Sequence, residues 1–224
     1  MDLYDVVCRG QTEAVRSLLY NDADVNAQGG RYGTALQAAA VYGESTEIVR
    51  LLLDNGADIN AQGGEYGTAL QAAAYGGTTE IVRLLLDNGA DINAQGGYYG
   101  TALQAAAAYG GTTEIIQLLL DNGANINAQA GVYDTALQAA AWKGVTNIAQ
   151  LLLESGADIN TQGGEYRTAL HAATFKRNTE VVRILLDRGA ETNIPDFSEA
   201  RPLQLSVQNR DLRTARLLLS RSTD

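Results

Sequence analysis

Cysteine, histidine, methionine and tryptophan each occur once in 224 residues, and proline twice. One cysteine, Cys8, cannot close an internal disulfide, and Cys8 with His171 cannot build a typical zinc site. A serine or cysteine hydrolase would have to rely on His171 alone. Basic residues are outnumbered 26 to 16, for a net charge of −10, whereas phosphate binding needs clustered Lys and Arg. Nucleic acid is therefore not an expected partner, and the charge reads as the solubility of a monomer rather than the mark of a basic partner. Long apolar runs are missing too. The longest uncharged stretch, between Asp91 and Glu114, is crowded with Gly, Gln, Asn and Thr, so no membrane contact is expected. The opening Met1-Asp2-Leu3-Tyr4-Asp5 lacks the basic and apolar parts of a secretory signal, which predicts a cytoplasmic address. There is no phosphate-binding Gly-x-x-x-x-Gly-Lys-Ser/Thr loop, no Gly-x-Ser-x-Gly elbow, no His-Glu-x-x-His and no calcium loop. No enzyme activity, cofactor or metal is expected.

What is present is repetition. Thr-Ala-Leu-Gln-Ala-Ala-Ala starts at Thr34, Thr68, Thr101 and Thr135, and a variant runs from Thr168 to Thr174, at spacings of 34, 33, 34 and 33. A period of this length belongs to a stacked array. In each unit Thr at the N-cap and Gln three residues later form a capping box, as at Thr68 and Gln71. Ala72, Ala73 and Ala74 favour helix and leave room for a close neighbour. Gly76-Gly77 ends this helix. A second begins near Thr79, carries Ile81, Val82, Leu84, Leu85 and Leu86 on one face, and stops before Gly89. A Gly-rich turn, 61–67, leads to the next capping box. Helices this short are unstable alone, so each pair must lie against the next. The expected fold is an all-α solenoid.

The Thr-x-Leu-x-x-Ala-Ala start, the Glu-Ile-Val-x-Leu-Leu-Leu second helix and the Gly-Ala-Asp-Ile-Asn loop resemble ankyrin repeats. Ala stands in the family's usual Pro position and Gln in its usual His position. These variants look like the ankyrin arrays of filamentous fungi, often C-terminal to nucleotide-binding immune-type domains. The resemblance divides one domain, 1–224, into a half repeat (1–25), five full repeats (26–59, 60–92, 93–126, 127–159 and 160–192) and a degenerate cap (193–224).

Positions that differ between units are free to serve a partner. Variation gathers at the hairpin tips Arg31, Glu65, Tyr98, Val132 and Glu165. It gathers again at the end of the first helix, in Tyr42, Tyr75, Tyr109, Trp142 and Phe175, beside Lys143, Lys176 and the extra residues Val41 and Ala108. The resemblance implies that both sets line the concave face that usually binds a protein. Stiff rings make good interface anchors, yet the same rings could pack on the adjoining repeat. The extra residues predict a local shift of nearby side chains that leaves the Leu-rich core untouched. A second column, Tyr32, Tyr66, Tyr99, Tyr133 and Tyr166, is invariant and reads as structural, as does His171 in the Gln capping slot. Two other readings remain open: a ligand-free spacer of a larger signalling protein, or an engineered consensus scaffold.

Overall fold

The computed structural model describes residues 2–43 and 45–221. All its regular elements are helices, and they group into two compact units, 1–125 and 126–224.

The first unit holds four helix pairs: α1 (Leu3–Cys8) with α2 (Thr12–Tyr20), α3 (Ala35–Tyr42) with α4 (Thr46–Asp54), α5 (Ala69–Gly76) with α6 (Thr79–Asp87), and α7 (Ala102–Ala105) with α8 (Thr113–Asp121). In the second, α9 (Ala136–Lys143) pairs with α10 (Thr146–Glu154), α11 (Ala169–Phe175) with α12 (Thr179–Asp187), and α13 (Pro202–Gln208) with α14 (Leu212–Arg221). Within each unit first helices lie on first helices and second helices on second helices, the layering of an all-α solenoid. In the third pair Ala72, Ala73, Ala74, Ile81, Val82 and Leu85 are fully buried, whereas Leu84 and Leu86 are half-exposed. Burying each Leu or Ile contributes about 1.5–3 kcal/mol.

The expected capping boxes form at Thr34, Thr68, Thr101 and Thr135. Each Thr hydroxyl accepts from the Gln backbone amide, and each Gln Oε1 accepts from the Thr amide. The same Gln then does a second job. Gln71 Nε2 donates to the carbonyls of Ala94, Gly96 and Gly100 in the following hairpin, and Gln37 and Gln138 do the same one repeat away. A single amide thus caps one helix and closes the next hairpin.

Hairpins approach closely because glycine lets them. A Cβ on Gly97, in the left-handed region at φ +60°, would sit 2.2 Å from the backbone of Tyr66. At that distance the tips share backbone bonds, from Glu65 N–H to the Arg31 carbonyl and from Tyr98 N–H to the Glu65 carbonyl.

The two extra residues are absorbed differently. In the second pair α3 stays α-helical through Tyr42 and caps on Gly43 at φ +63°, so the surplus passes into the link to α4. Val41 then takes the helical position that Tyr75 holds in α5. After α7 the chain widens instead into a π-turn, π1 (Ala106–Gly110), in which Gly111 N–H donates to the Ala106 carbonyl at 2.9 Å. Five-residue closure takes up one residue. Ile115, Ile116 and Leu119 stay as deeply buried as their counterparts Ile81, Val82 and Leu85.

Candidate functional site

In the first unit the invariant tyrosines form a ladder. Tyr32 lies 5.8 Å from Tyr66, and Tyr66 lies 6.1 Å from Tyr99, with interplanar angles of 21° and 7°. Tyr66 and Tyr99 are buried, in line with a structural role. The variable rings lean on this ladder from outside. Tyr75 sits 4.5 Å from Tyr66 and 5.1 Å from Tyr99, and Tyr109 stacks on Tyr75 at 4.6 Å and 17°. The π-turn makes that stack possible, because it returns Tyr109 to the phase of Tyr75. Tyr42, without such a turn, meets Tyr32 edge-on at 5.5 Å and 89°. Tyr42, Tyr98 and Tyr109 remain 44%, 51% and 62% exposed. The hydrogen bond to Tyr32, with partial burial, pushes the Tyr42 phenol up to about 12. Burial and Tyr75 raise the Tyr66 phenol far beyond its ordinary value.

The second unit changes the chemistry. Tyr133, Trp142, Tyr166 and Phe175 follow one another at centroid separations of 5.3, 6.2 and 5.4 Å. Lys143 and Lys176, the only lysines in the sequence, both sit over the Trp142 ring, with Nζ at 4.9 and 4.3 Å from its centroid. These distances are within cation–π range. Burial, and then the neighbouring Lys176, push the Lys143 ammonium below its ordinary value. Phe175 is 48% exposed, whereas Trp142 is half-buried.

Of the tip residues, Arg31 and Glu65 form an ion pair with each other. Glu165 is exposed, Val132 half-buried, and Glu165 N–H donates to the Val132 carbonyl at 3.4 Å. Val41 is half-buried and Lys176 exposed. Ala108 departs from expectation. It lies inside π1 with no exposed surface, so no partner can touch it, and its effect is confined to the phase of Tyr109.

Sequence reasoning missed a cleft of about 340 Å³ in the second unit, between α11, α13 and the hairpin 193–201. Tyr166, Phe175, Phe197, Glu165, Asp196 and His171 line it. The signal lay in residues 193–201, where Asn-Ile-Pro-Asp-Phe-Ser-Glu-Ala-Arg replaces the Gly-rich turn. Asp196 Oδ1 accepts from the amides of Ser198 and Ala200 and holds this hairpin. His171 is 1% exposed, its Nδ1 lies 2.8 Å from Thr168 Oγ1, its Nε2 is buried, and it meets the backbone of Ala200 in the next hairpin. Burial lowers the imidazole pKa, against the Ala200 carbonyl and Asp196, which favour the protonated ring; Arg167 adds to the lowering.

Also missed was a link between repeats made by the loop asparagines. Asn60 Oδ1 accepts from Asp91 N–H at 2.8 Å, and Asn26, Asn93, Asn127 and Asn160 make the equivalent link within their units. At Cys8 burial raises the thiol pKa. Among the described residues no cluster of three or more His, Cys, Asp or Glu is placed to hold a metal, and no helix is long and apolar enough to cross a membrane.

The family described as Ankyrin repeats (3 copies) matches residues 3–96, 97–163 and 137–224. A crystal structure of the human ASB11 ankyrin repeat domain is similar at a TM-score of 0.82 and 26% identity, covering 99% of this chain and 97% of that one. No curated protein matches the chain significantly in sequence. Capped helix pairs, Gly-rich hairpins and these matches agree: the chain belongs to the ankyrin-repeat family, whose members in general serve as protein-interaction modules rather than enzymes.

Proposed function

We propose that the protein binds a partner protein along the face made by its hairpins and first helices, the concave face of the family, with the variable rings as anchors. The observation that supports this most is the division of labour among the rings. Invariant Tyr66, Tyr99 and Tyr133 are buried, while variable Tyr42, Tyr98, Tyr109 and Phe175 keep large exposed surfaces and pack on Tyr32, Tyr99, Tyr75 and Tyr166 in turn. A ring already held by a ring beneath it loses little freedom on binding, which favours it as an anchor. Tyr75 and Trp142 pack more deeply and serve as both support and contact. Lys143, Lys176 and Glu165 add charge that selects the partner, and Arg31 and Glu65 do so as a pair.

The test changes Tyr42, Tyr98 and Tyr109 together to Ala. Partner capture by affinity purification should fall at least tenfold, with circular dichroism and the melting temperature nearly unchanged. Unchanged capture, or loss of folding in step with capture, would give these rings to packing.

A further inference from the structure

We infer that Lys143 and Lys176, gathered over the Trp142 ring, are a receptor for the carboxylates of an acidic partner segment, a run of aspartate or glutamate side chains. This deepens the proposed function on the second unit and rests on it only for the source of that segment.

The site follows from one position in the repeat. Lys143 is the last residue of α9 and Lys176 the residue after α11, and both stand where α5 has Gly76. That position looks back on the preceding first helix: a Cβ on Gly76 would lie 2.6 Å from the Val41 carbonyl oxygen, one repeat earlier. A lysine there is long enough to lie on the ring of the repeat before it, and Lys176 reaches Trp142 in this way. Lys143 reaches the same ring from the next position in the chain. Two successive repeats thus deliver both lysines of the sequence to one indole, with Nζ at 4.3 and 4.9 Å from its centroid.

Like charges brought to one ring call for a counter-charge. Among the described residues Lys176, an exposed side chain, belongs to no ion pair. Arg177, next in sequence, donates to the Asn209 carbonyl instead. Burial and the Lys176 charge disfavour the ammonium of Lys143, and a carboxylate set against both lysines would relieve that penalty. An ammonium carries three N–H donors, so contact with a ring face leaves room for hydrogen bonds to such a ligand. The surroundings favour a single negative charge over a doubly charged phosphate. Both lysines sit at helix C-termini, where backbone carbonyls concentrate partial negative charge. The acidity of the chain does not oppose the approach. Acidic residues outnumber basic ones 15 to 5 in 1–125, but the two are 11 to 11 in 126–224. An acidic segment is therefore repelled by the first unit and accepted by the second.

The experiment titrates the full chain with three blocked pentapeptides, Gly-Glu-Glu-Glu-Gly, Gly-Gln-Gln-Gln-Gly and Gly-Gly-phosphoserine-Gly-Gly. The readout is the fluorescence of Trp142, the one tryptophan of the sequence. A saturable change is expected with the glutamate peptide, weakening severalfold as salt is raised. Binding of the glutamine peptide, which keeps the shape without the charge, should be at least tenfold weaker. Lys143→Gln with Lys176→Gln should weaken glutamate-peptide binding at least tenfold, with circular dichroism and the melting temperature nearly unchanged. Should that pair cost folding, Lys176→Gln alone, at its exposed position, must still weaken binding severalfold, and Lys176→Arg must retain it. No saturable change, equal binding of the glutamine peptide, tighter binding of the phosphoserine peptide, or undiminished binding by the double variant would overturn the assignment. None of these variants touches Tyr42, Tyr98 or Tyr109, so the lysine pair and the ring column can fail separately.

Discussion

The hairpins of the first unit and the last hairpin of the second are built on one frame and end differently. Around Gln71 one amide joins a helix cap to three carbonyls, and glycine at 97 brings adjacent tips into backbone contact. Around His171 the cap survives through Thr168, an imidazole ring stands where the amide was, and a cleft lined by rings and carboxylates opens beside it. The rings differ in the same way. The first unit stacks neutral tyrosines on tyrosines, whereas the second sets both lysines over its tryptophan. A repeat array can therefore keep its core constant and change what it offers to a partner by single substitutions in the capping slot and at the helix end.

The comparison is broken most severely by removing the shared amide from the first unit. Gln71→Ala should leave the carbonyls of Ala94, Gly96 and Gly100 without their donor and cost about 2–4 kcal/mol, read as a lower urea midpoint. Gly97→Ala tests the close approach of the tips, with Gly123→Ala as its control. Both glycines have positive φ, but nothing lies within 4 Å of a Cβ at Gly123. About 1 kcal/mol is expected at 123, from the left-handed conformation alone, and about 2–3 kcal/mol at 97. The smallest effect is the most specific. Because burial holds His171 below its ordinary value of 6.5, the unfolded chain takes up the proton first. Its stability contribution is therefore complete above about 6.5 and declines as pH falls below that value. His171→Gln should abolish this step and raise stability by about 1 kcal/mol or less. Thermal melts of both chains at pH 7.5 and 5.5 check it: the gap between them should widen at the lower pH.

Much of this was legible in the residues. Thr68 and Gln71 at capping-box spacing, the triple Ala, and Gly89 after a Leu-rich face define the third helix pair locally, and its boundaries fall within a residue or two of expectation. The invariant tyrosines read as support because nothing local needs them in every unit. Val41 and Ala108 looked equivalent, as one-residue surpluses at the same place. Nothing in their identity says that Val41 continues an unbroken α-helix while Ala108 enters a π-turn, since that choice depends on what the helix end packs against. Ala108 was misplaced for that reason. Gln71 displayed its capping role, a matter of three residues, but not its reach to Gly100, which requires the next repeat to be in position.

The sequence by itself determined helices, caps, turns and their period, because these depend on contacts between residues a few positions apart. Tertiary structure alone decided which rings stay exposed, where the lysines meet Trp142 and whether a hairpin closes or gapes. Those outcomes turn on groups about thirty residues apart along the chain, brought within bonding distance only when one pair is laid on the next.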